Sequence, residues 1–221
     1  MLVRLRAVTS LQRKLSAVAV TLLLAGCSAS PPPEYTPPPR ALPPPVVSGA
    51  PDTAGMTVGS PGALYQFRFK QTEPGGDFNF RDRDLSFYFR PTPTALYFRV
   101  ENLQGRPVWI DWDRSQFLDV HGRTGKVAHS TTRWHDRYGT QAQTQVPGQQ
   151  QYSDYVFAMD DLVDPGTTSG DELQPHRPIL PEDQSAPIYS GRSFGVDLEF
   201  LIEDKPRTYT FRFQVASVIP R

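Results

Sequence analysis

Cysteine is nearly absent: of 221 residues, only Cys27 carries a thiol. That excludes an intramolecular disulfide framework and a cysteine-rich zinc site. No apolar run reaches 18 residues, so a conventional membrane-spanning helix is not expected. Lysine is scarce too, with Lys14, Lys70, Lys126 and Lys205 the only four against a majority of arginines. Ser-x-x-Lys does not occur, and the one Gly-x-Ser-x-Gly match, Gly191-Arg192-Ser193-Phe194-Gly195, runs into the alternating pattern of a strand rather than the strand-to-helix turn that a nucleophile elbow needs. There is no His-Glu-x-x-His helix, no internal repeat and no convincing amphipathic helix. The formal net charge is zero, from 23 basic and 23 acidic residues, but the balance is uneven. Residues 1–26 hold Arg4, Arg6, Arg13 and Lys14 and no acid, so the remainder carries 19 bases against 23 acids, a net charge of −4. A mildly acidic chain is unsuited to non-specific nucleic-acid binding, which requires a basic surface.

What is present begins at the N-terminus. A basic segment, residues 1–14, precedes the short apolar stretch Leu15–Ala25, the length of a signal-peptide core and too short to span a bilayer stably. It ends in Leu24-Ala25-Gly26-Cys27. This order resembles the signal peptide and lipobox of bacterial lipoproteins: a branched apolar residue, two small residues, then cysteine. The resemblance implies lipid transfer to the Cys27 thiol, cleavage between Gly26 and Cys27, and acylation of the new amino terminus. Two or three acyl chains anchor far better than one, at about 0.8 kcal/mol per buried CH₂. Ser28, rather than Asp, follows the cysteine, and in the lipoproteins of diderm bacteria this implies transfer to the outer membrane. The competing reading is a secretory signal with a chance cysteine at its end.

Residues 27–59 then read as a linker after the lipidated cysteine. Ten prolines fall between Pro31 and Pro51, three of them in each of three triplets. Such a run precludes a helix or a central strand and favours polyproline II. Extended, Pro31–Pro45 would reach roughly 45 Å. A spacer holding a domain off a membrane is the expectation; a ridge for a proline-binding partner is the alternative.

From residue 60 to 221 the period is two. Tyr65, Phe67 and Phe69 alternate with polar residues, as do Leu85, Phe87 and Phe89; Leu96, Phe98 and Val100; Val108, Ile110 and Trp112; Phe194 to Ile202; and Tyr209 to Val215. Alternation of this kind predicts half-buried antiparallel strands. Weaker strands are expected at 116–120, 126–130, 141–146 and 151–158. Pro91-Thr92-Pro93, His121 to Gly125, Pro147-Gly148 and Glu203 to Pro206 mark turns, with Gly148 expected to take positive φ. Many short strands without helices predict an all-β domain, an antiparallel β-sandwich that looks like an immunoglobulin-type domain without its disulfide, with a closed barrel as the alternative. Met159–Arg192, rich in Asp, Gly, Pro and Ser, reads as a long insertion that is either solvated or partner-binding.

Chemistry-bearing groups are sparse. His121 and His129 could face one another across a hairpin, and Asp111, Asp113 and Asp119 could suggest Ca²⁺, but neither spacing matches a known metal site, and no cofactor is expected. Ser153-Asp154 reads as an ordinary strand position. Catalysis is therefore not expected. If the core faces are as assigned, Tyr88, Tyr97 and Trp109 point outward among Arg68, Arg90 and Arg99, while Trp134 and Tyr138 sit in a polar loop with Arg133 and Arg137. Aromatic and arginine side chains are enriched at protein interfaces. The candidate binding surface is therefore Tyr88, Tyr97, Arg99, Trp109, Trp134 and Tyr138. The expected partners are the membrane, through lipid on Cys27, and another protein of the bacterial envelope; a glycan or peptidoglycan stacking on Trp109 or Trp134 is the alternative.

Overall fold

The computed structural model describes residues 56–166 and 175–221. Residues 1–26, read as a signal peptide, together with Cys27 and the proline triplets, lie outside the described residues, so expectations for them rest on sequence. Twelve strands form one antiparallel, curled sheet. In chain order they are β1 (Met56–Val58), β2 (Tyr65–Glu73), β3 (Gly75–Gly76), β4 (Asn79–Arg81), β5 (Leu85–Pro91) and β6 (Leu96–Asn102). Then come β7 (Val108–Leu118), β8 (Thr124–His129), β9 (Thr144–Val146), β10 (Gln151–Ala158), β11 (Ser193–Ile202) and β12 (Lys205–Pro220). The all-β antiparallel architecture is the one that the two-residue period dictates.

The sheet runs β1-β2-β12-β11-β7-β8-β10-β6-β5-β4. Its corner lies within β8. Thr124–Lys126 pair with β7, whereas Val127–His129 pair with β10, so one short strand serves both halves. The halves face each other as two layers. Their inward aromatics meet across the gap: Phe89 lies 4.3 Å from Phe211, and Phe87 lies 5.0 Å from Tyr209. Phe67, Phe89, Phe98, Trp112, Phe200 and Phe213 are fully buried in this core. Each buried ring of this size contributes about 1.5–3 kcal/mol of apolar transfer.

Several details depart from the sequence reading. The linker was expected to run to residue 59, but Met56–Val58 pair with Phe67–Phe69, so the sheet begins four residues before Ser60. Met56 and Val58 pack on the core, a small period-two segment hidden among glycine and serine. Residues 116–120 are not a separate strand. Gln116–Leu118 continue β7, which is interrupted by a bulge where Asp111 opposes Glu199 and Gln116 opposes Asp197, and Asp119 and Val120 lie past its end. Ser115 holds the bulge: its hydroxyl donates to the Asp111 carbonyl at 2.7 Å and accepts the Glu199 N–H at 3.0 Å. At the Pro147 turn, Gln149 rather than Gly148 takes positive φ. Gly148 is needed for space instead, since a Cβ there would sit 2.6 Å from the backbone of Gly105. The β11–β12 hairpin closes on two residues, Glu203 and Asp204, both with positive φ, as a two-residue turn matched to strand twist requires.

The acidic insertion is pinned at its described ends rather than merely solvated. Leu162 and His176 form a bridge, the Leu180 N–H donates to the Pro93 carbonyl at 2.9 Å, and Leu180 and Ala186 are fully buried.

Candidate binding face

Alternation along β5, β6 and β10 sends one set of side chains into the core and the other outward. Pairing then decides which outward residues become neighbours. Tyr88 sits opposite Arg99, Arg90 opposite Tyr97, and Tyr97 opposite Tyr155. Three tyrosine rings therefore form a row across three strands, with centroids 6.5 Å apart from Tyr88 to Tyr97 and 5.2 Å from Tyr97 to Tyr155. Guanidinium groups lie on it: Arg90 is 5.1 Å from the centre of the Tyr97 ring and Arg99 is 5.4 Å from that of Tyr88. Arg90 also donates to the Tyr155 hydroxyl at 3.4 Å. Each cation–ring contact at an exposed site is worth about 0.5–1 kcal/mol. The rings are half-buried by one another, which holds their rotamers and lowers the entropy lost when a partner covers them.

The row continues into a second apolar cluster of Ala95, Ala128, Phe157, Met159 and Leu162, against which Tyr155 and Trp134 pack. This cluster lies on the outward face of β8 and β10 and is roofed by flanking segments. His176 stacks on Phe157 at 4.0 Å, and Trp134, in the short turn Trp134–Asp136, packs against the cluster. Part of the outward aromatic surface is thus a small core beneath the insertion.

Among the six candidate residues, five share this side of the molecule. Tyr88, Tyr97 and Arg99 stand on the open sheet face, and Trp134 borders it through the second cluster. Tyr138 is 85% exposed and follows Arg137, whose guanidinium lies 3.4 Å from the Trp134 ring centre and 4.3 Å from that of Tyr138. Trp109 does not join them. It pairs with Leu201 and Gln145 on the other layer, facing away from that layer's core. Period two assigns a residue to a face of its own strand but not to a layer. Tyr155 and Arg90 complete the row; Tyr155 was legible as the outward alternate of the predicted 151–158 strand.

The polar groups weighed for metal chemistry are separated. Among the described residues no cluster of three or more His, Cys, Asp or Glu side chains converges to hold a metal ion. His121 is exposed against Tyr189, while His129 is buried and stacked on Trp112 at 4.2 Å. Asp119 accepts from the backbone of His121 and Arg123 and from the Arg123 side chain, and Asp113 pairs with Lys126. Asp154 reads in the sequence as an ordinary strand position, yet it is buried on the inward alternate of β10. It accepts from Tyr152 at 2.5 Å and from the backbone of Ser130 and Tyr155, and it meets His129 Nδ1 at 3.2 Å. A carboxylate on a core-facing position was the signal that could have revealed this network. Burial pushes the Tyr152 phenol far up, with the Asp154 charge acting the same way, so it stays a donor. Compared with known proteins, the chain matches no family model, no curated sequence and no solved structure, so the reading of this face rests on its own geometry.

Proposed function

We propose that this chain is a lipid-anchored, non-catalytic protein of the bacterial envelope that binds another protein through the outer face of β5, β6 and β10. The anchor is lipid on Cys27, with the outer membrane as its destination, and it is supported by the ordered basic segment, apolar run and lipobox. The observation that carries the binding role is the row of Tyr88, Tyr97 and Tyr155 with Arg90 and Arg99 laid upon it. Rigid amphipathic rings and guanidinium forks are the side chains that most often dominate protein interfaces. A glycan stacks on an open indole or phenol face, whereas the Arg137 guanidinium already lies over the Trp134 ring. This favours protein over sugar.

The test is a photo-crosslinking amino acid placed at Arg99 in cells, with a second placed at Trp109 on the other layer. Capture of the same protein from Arg99 but not from Trp109 is the expected result, together with fatty-acid labelling that disappears in Cys27→Ala. Retention on peptidoglycan with no protein captured would replace this reading with a glycan-binding one. Equal labelling of wild type and Cys27→Ala would remove the lipid anchor.

A further inference from the structure

We infer that the open edge of β12, from Thr208 to Phe211, is a docking slot for an extended segment of a partner polypeptide, which would add one strand to the sheet. The inference rests on the reading of this domain as a protein binder and adds a contact distinct from the tyrosine face. It starts from backbone accounting. On one side β12 pairs with β11 along Lys205–Gln214. On the other it pairs with β2 only from Arg212 onward, because β2 ends at Glu73. Among the described residues, no strand pairs with Lys205–Phe211 on that side.

Which backbone groups are left open follows from alternation. A two-residue hairpin closes on a hydrogen-bonded pair, here Ile202 and Lys205. The same parity reappears further along, where the Val215 N–H and C=O bond to the chain at Arg192 and Gly191, on the β11 side. Odd-numbered residues therefore face β11. Thr208 and Thr210 turn their N–H and C=O groups the opposite way, where β2 would lie had it continued. Pro206, lacking an N–H, blunts the end of this edge, as proline does on natural edge strands.

The open stretch has shape as well as unpaired backbone. A cleft of about 240 Å³ is lined by Glu73, Pro74, Phe80 and Thr208–Phe211. Phe80 meets Tyr209 and Phe211 edge-on at 6.1 and 5.8 Å, giving the cleft an apolar floor. Burial pushes the Tyr209 phenol up to about 12, and it donates to Asp82 at 2.9 Å, which fixes that wall. The open stretch is short, four residues lined by Glu73, Pro74 and Phe80, which suits one extended segment rather than the broad edge of a second copy. Backbone pairing with Thr208 and Thr210 selects an extended peptide, the mode of strand addition. The cleft volume selects a small apolar side chain over Phe80. The exposed Glu73 carboxylate at the rim selects a basic residue beside it.

The test uses the full chain, immobilised, and a display library of random ten-residue peptides. Enriched peptides are then titrated against wild type, Thr210→Val, Thr210→Pro and Tyr97→Ala. The proline removes one N–H from the slot at an edge position where proline is tolerated. Peptides of alternating pattern should bind wild type, Thr210→Val and Tyr97→Ala alike and bind Thr210→Pro about tenfold more weakly, the effect of one lost hydrogen bond. Amide exchange on wild type supplies a readout independent of the proline variant. The Thr208 and Thr210 amides should exchange faster than that of Tyr209 and become protected when peptide is added. Absence of any peptide binding tighter than about 100 μM, equal binding to Thr210→Pro, or protection of Thr208 and Thr210 in the free chain would each overturn the slot. Loss of peptide binding in Tyr97→Ala alone would overturn the slot and assign the peptide to the tyrosine face. These titrations do not depend on the cellular crosslink, so the two readings fail separately.

Discussion

Asp154 carries a charge into the core of β10 and is held there by donors. Burial works against its carboxylate. The hydrogen bonds from His129, the Ser130 backbone and Tyr152 outweigh it and hold the group below its ordinary value. The folded value therefore lies below the unfolded one, and the charged form favours folding. That contribution is present in full above the ordinary carboxylate range and is lost as pH falls through the folded value. Asp154→Asn leaves buried donors poorly matched and should cost about 1–3 kcal/mol near neutral pH. Urea melts of both proteins should show that gap narrowing below about pH 4, as wild type loses what the variant never had. A gap that stays constant into acid would mean that the charge on Asp154 contributes nothing.

At the scale of the element, β12 shows how far alternation reaches. Its pattern places Phe211 and Phe213 inward and Arg212 outward, and the structure agrees: Phe211 is 1% exposed and Phe213 fully buried. Phe211→Ala should cost about 3–5 kcal/mol, a large share of the usual 5–15. Arg212 is not simply in water. It pairs with Asp197 at 2.7 Å and lies over Gly195, where an added Cβ would sit 2.8 Å from the arginine Cδ and 2.2 Å from the Phe211 carbonyl oxygen. Arg212→Ala should therefore cost up to about 1 kcal/mol, the scale of a partly exposed ion pair. Denaturant titration of both variants checks the register. A larger loss in Arg212→Ala than in Phe211→Ala would mean that the faces are exchanged, as a one-residue slip would do. Alternation could not announce the bulge in β7, because a bulge is a local break in the very period being read. It is set by how Ser115 satisfies Glu199 across the sheet.

For the whole molecule, the first question is where the folded domain begins. Composition places the boundary at residue 60, while the sheet starts with β1 at Met56. A chain starting at Ser60 should melt about 5 °C below one starting at Ala54. It loses two half-buried side chains worth about 2 kcal/mol, and a domain of this size shifts roughly 2–4 °C per kcal/mol. Equal melting temperatures would show that β1 adds nothing to the fold. The sequence by itself determined the all-β class, most strand positions and which side of each strand is apolar, because those follow from a two-residue period that every strand carries locally. It also supplied the reading of the N-terminus as a lipoprotein address, since that signal is linear. Only the tertiary structure decided that β8 turns the corner between layers, that Tyr88, Tyr97 and Tyr155 form one row while Trp109 stands on the other layer, and that no strand among the described residues pairs with β12 beside Thr208 and Thr210. Those outcomes depend on which strands pair over long sequence separations, and pairing partners leave no mark in the alternation of a single strand.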